Sequence, residues 1–214
     1  MQQFLTVALP LVATVTTATA PMPSLFPPPP VSGPPPFSII REEPTSKTAP
    51  KEVAPAEKPK EKRLICKGCN ENENVALKYF QDIGIKDRNA LATIMGNIKQ
   101  ESQFDAGICE GGRKRSYYSC WGGYGLIQWT SANRYYGLGD FAKKFGGSPS
   151  SLDTQLRYLT NEIQWQKVEE KMKTPGKSIY SYMNYAYDWI GWGYHGARTE
   201  YAYDYASRLT KVEV

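Results

Sequence analysis

The sequence contains a single histidine, His195, and only four cysteines among its 214 residues. No serine or cysteine nucleophile motif accompanies His195, which argues against Ser-His-Asp and Cys-His enzymes and favours an ordinary loop residue. The cysteines do not have the spacing of a zinc site, because one close pair, Cys66 and Cys69, is not matched by a second. We therefore predict neither a metal site nor a cofactor.

The remaining cysteines, Cys109 and Cys120, are separated by ten residues. For Cys66 and Cys69, a thioredoxin-like redox function is not favoured either, because the surrounding sequence lacks a βαβ pattern. The cysteine content instead favours disulfides formed in an oxidising compartment. A bond between Cys109 and Cys120 would close a loop of about a dozen residues. Bonds from Cys66 or Cys69 to that loop, and free thiols, are the alternatives.

Tyrosine and tryptophan are absent before Tyr79, whereas fourteen of the 16 prolines lie at or before Pro59. A proline-rich stretch without these aromatic residues has little to bury and is expected to be extended and disordered. We therefore predict a disordered linker over residues 21–63 and a folded domain over residues 64–214. The domain is long enough for one hydrophobic core.

Residues 1–20 contain an apolar run at 4–15 and end in Ala18-Thr19-Ala20, the pattern of a secretory signal. No lysine or arginine precedes the run, and Pro21 would hinder cleavage. The run is also shorter than a membrane-spanning helix. We predict a signal-like or anchoring segment with possible transient membrane contact. The alternative is an apolar terminus that binds inside a particle.

Residues 87–101 predict a helix with one apolar face, because five residues recur with helical period: Ala90, Leu91, Ile94, Met95 and Ile98. Asp87 is typical of an N-cap. Glu101 follows Ile98 by three residues and therefore shares the core-facing side. Burial and the negative end of the helix dipole both raise the pKa of such a carboxyl group. A general acid that protonates a glycosidic oxygen needs this property. The alternative is an edge glutamate paired with Arg113, Lys114 or Arg115.

The other patterns predict a mainly helical α+β domain with one small antiparallel sheet. A first helix covers residues 71–80, and a glycine-rich, aromatic segment at 104–129 favours loops and a hairpin. Four later helices are predicted from their first residues or caps: Ser131, Ser150, Ser178 and Thr199. The helix after Ser150 is predicted to continue to Ile163.

Three motifs resemble the phage tail lysozyme family and, more distantly, goose-type lysozymes and soluble lytic transglycosylases. They are Glu101-Ser102, residues 123–130 (Gly-Tyr-Gly-Leu-Ile-Gln-Trp-Thr) and residues 152–156 (Leu-Asp-Thr-Gln-Leu). The resemblance covers residues 74–209 and implies a lysozyme-like fold. It also implies site residues: Glu101 is the catalytic acid, and Ser102 orients the site. Ser102, Tyr124, Gln128 and Trp129 are the expected substrate-binding residues of a glycan-binding cleft. Of the tryptophans, we expect only Trp129 to line the cleft, because it lies within a motif.

The second catalytic group is less well defined by the sequence. Goose-type enzymes often carry an aspartate just before the second motif, but this chain has Trp121-Gly122-Gly123 there. Glu110 and Asp105 are the candidates, and Glu110 is preferred because Asp105 falls where a loop-capping aspartate is common. If neither serves, the acetamido group or the 6-hydroxyl of the substrate would act, as in a lytic transglycosylase.

The predicted function is cleavage of the β-1,4 bond between N-acetylmuramic acid and N-acetylglucosamine in peptidoglycan. The protein would then have glycan strands and phage tail or virion proteins as its partners. It would be located in the virion or in the host periplasm and cell wall. The net charge of +5 suits attraction to anionic wall polymers. No nucleic-acid-binding motif accompanies that charge. The alternative is an inactive wall-binding or structural tail module with the same fold.

Overall fold

The computed structural model describes residues 62–213. The predictions for residues 1–20 and for most of the linker at 21–63 therefore lie outside the described residues. Lys62 and Arg63, which the prediction assigned to the linker, form the start of strand β1. None of the helices between residues 62 and 213 is long and apolar enough to cross a membrane.

The described range is mainly helical, as predicted. Its α-helices are α1 (Glu71–Asp82), α2 (Arg88–Ser102), α3 (Ala132–Phe145), α4 (Leu152–Asn161), α5 (Ile163–Gln166), α6 (Glu169–Lys173), α7 (Ile179–Ile190) and α8 (Arg198–Arg208). A single 3₁₀ turn, Tyr117–Ser119, precedes α3. The expected hairpin is present as β2 (Ile108–Cys109) paired antiparallel with β3 (Arg113–Lys114).

A second antiparallel sheet joins the two ends of the domain and was not predicted. Strand β1 (Lys62–Cys66) pairs with β4 (Leu209–Glu213), so that Leu64 lies opposite Lys211. The two strands are far apart in sequence and each is short, so no local turn signal announces their pairing. The buried side chains of Gln81 and Leu64 support this sheet, since Gln81 exchanges hydrogen bonds with the backbone of Leu64.

Two predicted helix starts are confirmed by their caps. The Asp87 carboxylate accepts hydrogen bonds from the backbone N–H groups of Asn89 and Ala90 at the start of α2. The Ser178 hydroxyl accepts one from Ser181 N at the start of α7. Both side chains satisfy backbone donors that have no partner within their helix.

The predicted start and end of α4 are wrong. Ser151, not Ser150, is its N-cap and accepts a hydrogen bond from Thr154 N. The Ser150 hydroxyl is engaged elsewhere, by the backbone N–H of Tyr117 and the phenol of Tyr124. The helix ends at Asn161, so Ile163 belongs to the separate short helix α5, where it is exposed.

The predicted cap of the last helix is also wrong. The residue at the N-cap of α8 is Ala197, not Thr199, and its side chain makes no capping hydrogen bond.

Helix α8 packs against α2 at very short range. A Cβ atom at Gly96 would lie only 2.6 Å from the backbone nitrogen of Ala202 and 2.9 Å from the carbonyl oxygen of Arg198. Glycine at position 96 therefore allows the close contact that places the start of α8 beside the end of α2.

Candidate active site

A groove of about 600 Å³ opens at the C-terminal end of α2. Its wall is built from four parts of the chain. These are the end of α2, the segment after β3, the start of α3, and the stretch from the last residue of α7 to the first residue of α8. The lining residues are Glu101, Ile127, Gln128, Thr130, Ser131, Arg134, Ile190, Gly191, Trp192, Gly193, Tyr194 and Arg198. Glu101 contributes the only carboxylate among these lining residues.

Ser102 joins the end of α2 to the second motif. Its hydroxyl donates a hydrogen bond of 2.9 Å to the carbonyl of Leu126 and accepts one from Phe104 N. The side chain is buried. Ser102 therefore holds residues 123–130 against the helix that carries Glu101.

The third motif holds the same segment from the other side. The buried amide of Gln155 accepts a hydrogen bond from Leu126 N and donates to the carbonyls of Ala106 and Pro149. Gly125 is required beside it, because a Cβ atom at that position would lie 2.3 Å from the Gln155 amide oxygen. The three motifs that carry the resemblance are thus joined by hydrogen bonds into one structural support for the groove.

An ion pair between the groove residue Arg134 and the buried carboxylate of Glu162 supports one side of the groove. Arg134 donates two hydrogen bonds, of 2.7 and 2.8 Å, to the carboxylate of Glu162, and a third to the carbonyl of Ile190. The indole N–H of Trp129 donates to the same carboxylate. Such a bidentate pair fixes a guanidinium in place, so Arg134 presents a positioned positive charge to the groove.

Glu101 forms an ion pair with Arg198, and both side chains are largely withdrawn from solvent, with exposed fractions of 14% and 3%. The Arg198 guanidinium also lies over the Trp192 ring, 4.8 Å from its centroid. Burial raises the pKa of Glu101, while the charges of Arg198 and Arg134 act against that rise. Burial likewise lowers the pKa of Arg198. The direction predicted for Glu101 from the sequence therefore agrees with its surroundings.

The predicted site residues fall into three groups in the structure: two line the groove, three pack behind it, and Glu110 is not among the lining residues. Glu101 and Gln128 both line the groove. Ser102, Tyr124 and Trp129 are buried and pack behind the groove rather than line it. Their hydrogen bonds are structural: Ser102 bonds to Leu126 and Trp129 to Glu162, whereas the Tyr124 phenol bonds to the Arg115 carbonyl and the Ser150 hydroxyl away from the groove.

Neither candidate for the second carboxylate lines the groove. Glu110 lies in the β2–β3 hairpin and accepts a hydrogen bond from Gly123 N. Asp105 accepts a hydrogen bond from Gly107 N, as a loop-capping aspartate does, and forms an ion pair with Lys114. The structure therefore does not bring either carboxylate together with Glu101.

The charged and aromatic groove residues that the sequence did not lead us to assign to the site are Arg134, Trp192, Tyr194 and Arg198. Gly96 was the available signal for Arg198, because a glycine in the middle of an apolar helix face indicates close packing of another element. No comparable signal marked Trp192. Within residues 62–213, no cluster of three histidine, cysteine or carboxylate side chains is placed to hold a metal ion.

Both disulfides are formed, Cys66–Cys69 and Cys109–Cys120, and the described range has no free cysteine. We expect the Cys109→Ser/Cys120→Ser double variant to lose about 3 kcal/mol of unfolding free energy, because this bond restrains the longer loop. The Cys66→Ser/Cys69→Ser variant is the matched control and should lose less, about 2 kcal/mol. Urea denaturation measures both, and an equal or reversed order would contradict the loop-length argument.

Comparison with known families identifies the chain. The family model described as Phage tail lysozyme matches residues 71–209, which covers the helical domain from α1 to the start of β4. The chain belongs to the phage tail lysozyme family. The curated proteins and the solved structures give no match.

Proposed function

We propose that the protein is a peptidoglycan-cleaving glycosidase in which Glu101 is the general acid. The observation that carries this proposal is the position of Glu101: a mostly buried carboxyl group that faces an open groove in a protein of the phage tail lysozyme family. A raised pKa keeps more of this group protonated near neutral pH than an exposed glutamate would be. The proposed bond is the β-1,4 link between N-acetylmuramic acid and N-acetylglucosamine.

In the first step, Glu101 gives its proton to the glycosidic oxygen while the bond from that oxygen to C1 of N-acetylmuramic acid breaks. Glu101 thereby becomes a carboxylate paired with the Arg198 guanidinium. A positive charge in direct contact, away from bulk water, stabilises the anion that forms. Arg198 is thus proposed to position Glu101 and to stabilise its ionised form.

For the second step we propose that the substrate supplies the nucleophile. The Glu101 carboxylate takes the proton of the 6-hydroxyl as that oxygen bonds to C1, which yields a 1,6-anhydro sugar and restores the acid. This mechanism needs only one protein carboxylate. Among residues 62–213, Glu101 is the only carboxylate that lines the groove, which supports it. Glu110, which accepts a hydrogen bond from Gly123 N, remains the alternative second group.

Gln128 is the motif residue proposed to contact the glycan. Its backbone has a positive φ of 51°, and its side-chain amide donates to the Gly125 carbonyl, which fixes the side chain at the groove edge. Trp192 is the aromatic residue proposed for sugar contact in the groove, in place of Trp129. A virion-associated location, with opening of the host wall as the role, is proposed from the family alone.

Mass spectrometry of the sugars released from purified peptidoglycan tests this proposal. We expect muropeptides that end in 1,6-anhydro-N-acetylmuramic acid. Products with a reducing N-acetylmuramic acid would show that water is the nucleophile, which would overturn the second step but leave the acid role of Glu101. No release of sugars by the unmutated protein would favour an inactive wall-binding or structural tail module.

A further inference from the structure

A second cavity, of about 700 Å³, lies on the other side of the first turn of α3 and is lined mainly by aromatic rings. We call it the tyrosine cleft and define it by five residues: Tyr117, Tyr118, Trp121, Tyr135 and Tyr136. None of them takes part in the proposed chemistry at Glu101. Three of their side chains are strongly exposed, Trp121 at 95%, Tyr118 at 85% and Tyr136 at 67%.

The floor of the tyrosine cleft is rigid. The rings of Tyr117 and Tyr135 stack with their centroids 4.6 Å apart and an angle of 16° between their planes. Each of the two phenols also donates a hydrogen bond to the backbone carbonyl of the other residue. A side chain at Gly139 would collide with the Tyr117 hydroxyl, so the glycine keeps the floor in place.

The rim of the tyrosine cleft is open. The Tyr118 ring lies nearly perpendicular to Tyr117, at 82°, and the Tyr136 ring lies perpendicular to Tyr135, at 90°. Trp121 follows Cys120 directly, so the Cys109–Cys120 disulfide restrains the segment that carries it. Aromatic rings that expose apolar surface to water and are held in fixed positions are typical of binding surfaces.

The chemistry of the tyrosine cleft fits a sugar chain. An aromatic ring face packs against the C–H face of a pyranose, while phenol and indole groups supply hydrogen-bonding edges. Asp140 and Lys143 line the same cavity and add groups that bond to hydroxyl and amide substituents. Asp140 and Lys143 are exposed and offer polar bonds that a lipid or a hydrophobic segment would leave unused, whereas a sugar chain can form them.

The tyrosine cleft also adjoins the Glu101 groove. Arg134 lines the groove, whereas the next residue of α3, Tyr135, lines the cleft. On the other side, Gly123 packs against Gln128 and Thr130 of the groove, and Trp121 lies two residues before it. A helix is only about 10 Å wide with its side chains, so one polymer that leaves the groove can cross α3 and reach the cleft.

We propose that the tyrosine cleft is a second glycan-binding site, which holds N-acetylhexosamine units of the strand whose bond is cleaved beside Glu101. The inference rests on the proposed function for the identity of the polymer. The rings of Trp121 and Tyr136 are the main contacts, and the cleft raises affinity for long strands. Its loss leaves the acid chemistry at Glu101 intact.

The test measures retention on purified peptidoglycan sacculi in a Glu101→Gln background, which removes cleavage. We expect the Trp121→Ala/Tyr136→Ala variant to bind sacculi at least about tenfold more weakly, the loss expected when stacking contacts of this size are removed. Trp121→Phe should recover part of the loss because it restores a ring. Tyr180→Ala is the matched control, since Tyr180 is equally exposed, at 74%, but lies in α7.

A second measurement separates sugar binding from binding of the peptide stems or of a protein. Titration of the Glu101→Gln/Trp192→Ala protein with chitotetraose, followed by calorimetry and by tryptophan fluorescence, should show binding that the added Trp121→Ala/Tyr136→Ala changes weaken and a fluorescence response that Trp121→Phe removes. Retention of the double variant equal to that of Tyr180→Ala would overturn the proposal. So would a chitotetraose affinity that is unchanged in the double variant, since the cleft would then bind a non-sugar partner.

The outcomes distinguish this proposal from the proposed function. If the unmutated protein releases sugars while the rim variants bind as tightly as Tyr180→Ala, the cleft proposal fails and the role of Glu101 stands. If the unmutated protein releases no sugar but the rim variants lose both retention and affinity for chitotetraose, the cleft is a glycan-binding site and the role of Glu101 fails.

Discussion

Replacement of Glu101 by glutamine is expected to lower the rate of peptidoglycan cleavage by about 10²–10⁴-fold, the usual contribution of a general acid. Glutamine has nearly the same shape, but it has no carboxyl proton to give to the glycosidic oxygen. Its amide oxygen still accepts a hydrogen bond from Arg198, so the groove should keep its form. The rate of turbidity loss in a suspension of purified cell walls measures the effect.

The matched control is Glu200→Gln, which removes an exposed carboxylate in the first turn of α8 and leaves Arg198 in place. This variant should clear cell walls at the unmutated rate. Glu110→Gln and Asp105→Asn test the second carboxylate in the same assay. Because neither side chain lines the groove, we expect each to retain most of the activity. A loss in Glu110→Gln as large as that in Glu101→Gln would contradict the single-carboxylate mechanism.

Local sequence patterns predict the helices well because each pattern acts within its own element. The apolar residues of α2 and the Asp87 cap set the face and the start of that helix without information from the rest of the chain. The position of Glu101 on the core-facing side follows from the same periodicity. The start of α4 was missed by one residue because two serines are adjacent and tertiary hydrogen bonds to Ser150 decide between them.

The composition of the groove could not be predicted in the same way, because it depends on contacts between distant segments. Arg198 and Glu101 are 97 residues apart in sequence, and nothing near Arg198 indicates that α8 begins beside the end of α2. Trp129 illustrates the opposite error. It lies within the motif, but its indole N–H bonds to Glu162, a residue of another segment, and its ring is buried.

Replacement of Arg198 by methionine is expected to lower kcat by about ten- to a hundredfold, since a hydrogen bond to a charged group contributes about 1.5–3 kcal/mol. Methionine keeps much of the side-chain volume beside Trp192 but removes the charge that orients Glu101. The loss should appear in kcat rather than in KM, because the charge of Arg198 acts on the carboxylate that forms as the bond breaks. Steady-state rates on soluble glycan fragments separate the two constants.

The pH profile of the same variant shows whether Arg198 acts through Glu101. A general acid works while it is protonated, so activity falls as pH rises through the pKa of Glu101. The positive charge of Arg198 lowers that pKa, and its removal leaves burial opposed only by Arg134. The alkaline limb of the Arg198→Met profile should therefore move to higher pH, while Arg198→Lys, which keeps a charge, should move it less. Arg208→Met is the control. Arg208 also belongs to α8, pairs with Asp204 and lies over the Tyr205 ring, but it is not among the groove residues. An alkaline limb that stays in place, or moves to lower pH, would mean that Arg198 supports the fold without acting on the proton of Glu101.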